Sequence, residues 1–333
     1  MKTGRVIYLD AVKLFTIYLV ILGHVLMMMV GGYVVGSKLI NFIYSFHMPL
    51  FMLMSGYFVS RRSTEKPLFS FLALKGRQLI LPAVSCTIVC CIYLFMARGG
   101  GDYRAEIIGN SWFLKTLFVY YVLFYVLKHI RCSDWLLFVV SCLLLFVVPG
   151  CSTLQVNLLW PYFWGGYFLR KHHTLERLSS SRKVFTVFLL LYIVSYGIQL
   201  YWKIPNYVPV NINTLTSEWQ HILLRYIVAF SGSITVILLF AMLDMTIHQN
   251  KCYQSIAKYG QYTLGIYVLQ TILVANIFPD TLAWYVESEW LLDTVIGPVV
   301  SMGFLLLCLW LILVMSKNRV LNLLFFGGQY HKS

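Results

Sequence analysis

The sequence predicts an all-α, polytopic membrane protein of about ten transmembrane helices with both termini cytoplasmic, and three observations lead there. First, 59% of the 333 residues are hydrophobic and only 11% charged, with a mean hydropathy of +0.76; a soluble domain carries roughly 25% charged residues. Second, apolar runs near the length of a spanning helix, about 20 residues, recur along the whole chain. Third, the basic residues cluster in short segments between those runs, as topology signals do.

The expected spans are 7–30, 40–59, 79–97, 111–128, 134–149, 154–169, 184–202, 221–243, 262–279 and 291–315. The fifth and sixth are short, and Pro149-Gly150 between them also reads as a re-entrant turn. Ten spans give a consistent orientation. With the N-terminus inside, 19 of the 26 Lys and Arg fall on the cytoplasmic side, among them Lys2, Arg5, Arg61, Arg62 and Lys332. Only Lys38, Arg98, Arg104 and Lys203 fall outside, and Lys13, Lys115 and Arg225 lie within spans. The net charge of +14 is thereby read as topogenic, with no nucleic-acid partner. Most of the eight cysteines sit inside apolar stretches without metal-ligand spacing, so neither a disulfide framework nor a metal is expected. The first run is too long for a cleavable signal and no small-residue site follows it. A single domain over 1–333 is expected, with an outer loop at 203–220 and a cytoplasmic tail at 316–333. The tail reads as a short amphipathic surface segment or as the frayed end of the tenth span.

Charged residues inside a span cost roughly 2–3 kcal/mol or more at its centre. The stretch "YLDAVKLFTIYLVILGH" nevertheless carries Asp10, Lys13 and His24. At 100° per residue the three share an arc of about 60°, and Lys13 and His24 lie roughly 16 Å apart along the axis. Asp10 and Lys13 are spaced to pair at i, i+3. Such a polar line marks a pathway or a site; the plainer alternative is a structural ion pair plus a core histidine. In "FHMPLFMLMSGYF", His47 is expected at the depth of His24, Pro49 frees a backbone carbonyl that His47 could take, and Ser55-Gly56 permits close helix packing. Trp112 and Lys115 fall near the outer end of the fourth span, with His221 and Arg225 at the corresponding depth of the eighth. Each alone reads as an interfacial anchor; together they suggest a polar outer cavity. Lys75 and Arg77, before the third span, read as topogenic charges or as a phosphate clamp.

The stretches "YLDAVKLFTIYLVILGH", "FHMPLFMLMSGYF" and "WFLKTLF" resemble the acyltransferase-3 family of bacterial membrane O-acyltransferases, nearest its fucose 4-O-acetylase-related branch. "RQLILP", "WPYFWGGYFLRK" and "TLGIYVLQ" add weaker support. The resemblance implies ten helices in the bacterial cytoplasmic membrane. It implies transfer of an acyl group, acetyl first, from cytoplasmic acyl-CoA to a hydroxyl of a sugar or glycan at the outer face. By motif His24 is the catalytic histidine, Lys13 stands where many members have arginine, and Arg77 matches a basic position before the third helix. Gln270 departs from the pattern, because the segment resembles one that often ends in histidine.

On this reading Asp10, Lys13 and His24 form the catalytic set. Lys13, Lys75 and Arg77 hold the donor's phosphates, and the pantetheine arm reaches along the polar stripe. His24 acts as general base or as acyl-accepting nucleophile. His47, Trp112, Lys115, Arg225 and Tyr267 are assigned to the acceptor, by stacking, hydrogen bonding or oxyanion stabilisation. The rival class is a transporter of sugars or lipid-linked glycans, separated from the enzyme by indifference to acyl-CoA; a third reading is a structural or sensory membrane protein. Whether the protein self-associates is left open.

Overall fold

The computed structural model describes residues 6–29, 37–59, 65–147, 154–206, 209–277 and 289–330. Pro149-Gly150, and the basic residues Lys2, Arg5, Arg61, Arg62 and Lys332, lie outside the described residues. Among the described residues all regular structure is helical.

The chain begins with α1 (Ile7–Met29) and α2 (Lys38–Tyr57). Next, α3 (Leu68–Lys75) runs through a wide π turn, Gly76–Ile80, into α4 (Leu81–Arg98). The widening has a local cause: Pro82 has no N–H to return to the preceding turn. The short α5 (Tyr103–Gly109) starts on the Asp102 cap and leads to α6 (Trp112–His129). There follow α7 (Asp134–Val147), α8 (Val156–Lys171), α9 (Thr174–Leu178), α10 (Arg182–Tyr201), α11 (Ile212–Ser217), α12 (Trp219–Ile247) and α13 (Lys251–Ala257). A 3₁₀ turn leads to α14 (Thr263–Ile272), which widens into a second π turn at Leu273–Ile277. A third π turn, Leu292–Ile296, precedes α15 (Gly297–Met315), and α16 (Arg319–Phe326) ends the described chain.

Each of the ten expected spans contains a helix. Among the described residues, six segments are long and apolar enough to cross a membrane: Ile7–Met29, Lys38–Tyr57, Leu68–Arg98, Arg182–Tyr201, Trp219–Ile247 and Leu292–Met315. A seventh is reached if α5 and α6, bent by 52°, count as one. The other expected spans hold the shorter helices α7, α8 and α14, of 14, 16 and 10 residues among the described ones. The expected outer loop and tail each contain a short helix among the described residues. Within 203–220, Asn211 caps α11 with a capping box, while Ile204 and Val210 are buried. In the tail Asn318 caps α16, whose Phe326 is fully buried.

The chain divides into two compact units. The first comprises Met1–Thr16, Asn41–Val59 and Arg131–Gln261. Here α2 and α8 pack backbone to backbone at Gly56 and Gly166, where an added Cβ would overlap Phe163 O and Leu53 O respectively. That is the close approach expected of small residues in membrane helices. Gly260 packs in the same way on the Asp10 carbonyl. Pro49 in α2 and Pro161 in α8 each deprive a carbonyl one turn earlier of its N–H. Neighbouring residues of α12 supply replacements: Arg225 donates to Ser45 O and the Tyr226 hydroxyl to Asn157 O. Bare carbonyls in hydrocarbon cost several kcal/mol each, which is why polar side chains appear at these points.

The second unit comprises Ile17–Ile40, Ser60–Ile130 and Tyr262–Ser333. In it α14 is surrounded by α4, α15 and α16. The outer half of α1 packs on the start of α15: Tyr18 donates to Pro298 O at 3.2 Å, and Leu26 fills the notch left by Gly297. The tail is docked around the end of α16. Gly327, at φ +63°, lies tight against the Arg77 carbonyl, and the Tyr330 hydroxyl accepts the Gly265 N–H at 3.2 Å.

Candidate functional site

The polar residues of α1 fall in register as their spacing requires, because the helix is unbroken from Ile7 to Met29. In the first unit Lys13 Nζ lies 2.8 Å from Asp10 Oδ1, the i, i+3 pair read from the sequence. Asp10 is buried, while Lys13 is partly exposed with its ammonium 4.1 Å from the Phe58 ring centroid.

The second unit holds His24. Its ring is half-buried, and Nδ1 lies 2.7 Å from Oε1 of Gln270, a fully buried side chain on α14. The Gln270 amide nitrogen donates to Thr271 Oγ1 at 3.0 Å, and that hydroxyl donates to Tyr267 O at 2.8 Å. Beyond Thr271 the helix widens, a feature frequent at functional sites. Asn276, inside the widened turn, donates to Thr271 O at 2.7 Å and to Asn110 Oδ1 at 3.2 Å. A continuous polar chain therefore runs from His24 through Gln270, Thr271 and Asn276 to Asn110, at the start of α6.

Four residues picked from the sequence meet along this chain: His24, Trp112, Lys115 and Tyr267. The Phe113 ring lies 5.5 Å from Tyr267 and 6.2 Å from Trp112, centroid to centroid. Lys115 Nζ donates to Asn110 O and Ile107 O, completing carbonyls left open at the end of α5. This accounts for a lysine at that depth. Lys75 and Arg77 belong to the same unit but are two residues apart on a helical path, so they do not share a face. Lys75 Nζ stands 3.7 Å from the Tyr121 ring centroid, and Arg77 is exposed.

His47 and Arg225 lie in the first unit and are engaged with backbone. His47 Nδ1 meets Ile43 O at 2.8 Å, and the ring packs edge-on against Tyr44. The carbonyl freed by Pro49, which the sequence offered to His47, is taken by Arg225 instead. Arg225 is no snorkelling surface cation: it is 1% exposed, with Nη1 on Ser45 O, Nη2 on Tyr44 O at 3.0 Å and Nε on Asn206 O. Fixed N–H groups of the guanidinium suit such a three-way clamp. The same unit encloses an apolar cavity of about 510 Å³ lined by Trp135, Phe138, Phe168, Tyr226 and Phe230, with His172 and Thr174 as polar members. It contains no acid–base constellation.

Gln270 is the site residue that sequence reasoning set aside. The signal was present: "VLQTILV" places an amide and a hydroxyl side by side in an apolar run, and each needs a partner there.

Three comparisons bear on this geometry. A family model for an acyltransferase domain, acyltransferase-3, matches residues 6–317. A nodulation protein, NolL, of Mesorhizobium japonicum is 30% identical over 178 residues, covering 50% of this chain and 47% of that protein. A nodulation protein, NolL, of Sinorhizobium fredii is 26% identical over 196 residues, covering 54% of this chain and 52% of that protein. The chain thus spans about half the length of the curated relatives it matches. No solved structure matches it. With nearly the whole chain under the family model, and with helices able to cross a bilayer several times, the chain belongs to the acyltransferase-3 family of multi-pass membrane acyltransferases.

Proposed function

We propose that this protein moves a short acyl group, acetyl first, from cytoplasmic acyl-CoA to a hydroxyl of a sugar or glycan at the outer face of a bacterial cytoplasmic membrane. The observation that carries the reading is His24: a half-buried histidine in an apolar helix, held through one ring nitrogen by a side chain 246 residues away. His24 differs in this from His47, whose Nδ1 meets Ile43 O on its own helix.

In the general-base route the imidazole takes the acceptor's hydroxyl proton as the oxygen attacks the thioester carbonyl. The C–S bond breaks, CoA leaves as thiolate and takes up a proton, and the ester remains on the sugar. In the nucleophilic route the imidazole attacks the thioester carbonyl, the C–S bond breaks and CoA leaves as thiolate and takes up a proton; the hydroxyl then attacks the acyl-imidazole, its proton is lost to solvent and the free imidazole is restored. Both routes need a neutral imidazole. Arg77 and Lys75 supply positive charge for the donor's phosphates, and Lys13 extends it along α1. Trp112 and Tyr267 offer aromatic faces to the acceptor. Both termini and the tail are assigned to the cytoplasmic side by the distribution of basic residues.

The test uses purified protein in lipid nanodiscs with acetyl-CoA, following free CoA with and without cell-surface glycan extract. Release that rises with glycan and disappears in His24→Ala is expected. No CoA release and no acetyl-CoA binding would overturn the reading.

A further inference from the structure

We infer that Gln270 is a positioning residue: it holds His24 in the tautomer protonated on Nδ1 and so leaves Nε2 as the nitrogen that meets substrate. The inference rests on the acyl-transfer reading for the word substrate, but the tautomer follows from hydrogen-bond accounting alone.

The Thr271 hydroxyl has one hydrogen, and it lies on the line to Tyr267 O at 2.8 Å. Toward Gln270, 3.0 Å away, the Thr271 oxygen therefore acts as acceptor, so the amide turns its NH₂ to that side. Its carbonyl oxygen then faces His24 Nδ1 at 2.7 Å. A carbonyl oxygen only accepts, so Nδ1 carries the hydrogen; a neutral imidazole has a single N–H, and Nε2 is bare. Turning the amide over would draw the Thr271 hydrogen onto Gln270 and forfeit the bond to Tyr267 O, one hydrogen bond fewer in an apolar span. Asn276 steadies the same turn from the other side, on Thr271 O.

An amide suits the task better than a carboxylate. It orients the ring, yet brings no charge that would favour the imidazolium, and both routes begin from neutral histidine. At the Gln270 position the sequence departs from the family pattern; the geometry gives the departure a role.

The experiment is nitrogen NMR on the full chain, ¹⁵N-labelled at histidine, in lipid nanodiscs, with His24 signals assigned by their loss in His24→Ala. Protonated and bare ring nitrogens resonate far apart, so the tautomer is read directly. Wild type should show protonated Nδ1 and bare Nε2, and Gln270→Leu should shift population to the other tautomer. Gln270→Leu should also lower kcat by about 10- to 100-fold, the usual loss when a ring-orienting partner is removed, with KM for acetyl-CoA unchanged. Gln270→Glu, which keeps an accepting oxygen and the side-chain shape, should keep the hydrogen on Nδ1 while its charge favours the doubly protonated ring, and it serves if the leucine variant fails to fold. His24→Nδ-methylhistidine in the Gln270→Ala background should recover most of the turnover, since the methyl group confines the lone pair to Nε2. An Nε2–H wild type, or a Gln270→Leu protein unchanged in both tautomer and kcat, overturns the inference. An Nδ1–H wild type that releases no CoA supports the tautomer and counts against acyl transfer, so the two can fail separately.

Discussion

Arg225 and His24 are both basic side chains set among apolar helices, and they are held in opposite ways. Arg225, in the first unit, gives all three kinds of guanidinium nitrogen to main-chain carbonyls, including one that Pro49 left without its helical partner. His24, in the second unit, is held at Nδ1 by a side-chain amide. A residue whose polar atoms close gaps in the backbone is part of the frame. One gripped from behind by a distant side chain and only half-buried is arranged for chemistry. The two units should therefore respond differently when these residues are removed, and the difference is measurable.

The largest expected effect is on turnover. His24→Ala should lower glycan-dependent CoA release by about 10²- to 10⁴-fold, the usual worth of a general base, while the melting temperature in nanodiscs stays near that of wild type. A parallel fall in melting temperature would erase the contrast and make His24 a packing residue.

Arg225→Met reverses the pattern. It removes the hydrogen bonds to Ser45, Tyr44 and Asn206 O and leaves the Ser45 carbonyl, which Pro49 denies its helical N–H, without a donor; hydrogen bonds to charged groups are worth about 1.5–3 kcal/mol each. Relief from burying a charge offsets part of this, so a net loss of about 2–4 kcal/mol is expected in a denaturation midpoint. Folded Arg225→Met should keep its KM for acetyl-CoA. Arg225→Lys should fall between, because one ammonium cannot span three diverging carbonyls.

Gly327→Ala asks whether the docked tail matters to the second unit. The new Cβ would sit 2.5 Å from Arg77 O and 2.9 Å from Gln78 Cα, on a backbone at φ +63° that a side chain strains. A loss of about 1–3 kcal/mol is expected from strain and displaced packing together, seen as faster proteolysis within α16. If the tail also sets Arg77, KM for acetyl-CoA rises while kcat holds.

What the sequence disclosed and what it hid divide along the range of the contacts. The ten helical segments, the Asp10–Lys13 pair and the close approach at Gly56 follow from local periodicity or from residues a turn apart. Pro49 disclosed that a carbonyl was open but not who would fill it, because Arg225 is 180 residues away. Gln270 looked like an absent histidine because its meaning lies in a partner 246 residues distant. The number of crossings is less legible: among the described residues α7 and α14 are apolar but shorter than the about 20 residues of a straight spanning helix.

The smallest effect, and the sharpest test of the comparison, belongs to Lys13. Its ion pair with Asp10 resembles the Arg225 clamp in burying one partner, since Asp10 is 6% exposed and Gly260 packs on its carbonyl. Yet Lys13 itself is 24% exposed along its side chain, so part of its charge remains available. Lys13→Met removes this ammonium from the Asp10 carboxylate and should cost about 1–2 kcal/mol. Lys13→Arg keeps the pair and offers a phosphate two parallel N–H donors where lysine offers a point charge. If Lys13 serves the donor, arginine should lower KM for acetyl-CoA and methionine raise it, each by a few fold, with kcat little changed. If KM is the same in both and only the melting temperature follows the pair, Lys13 belongs with Arg225 to the frame, and the polar line on α1 narrows to His24 alone.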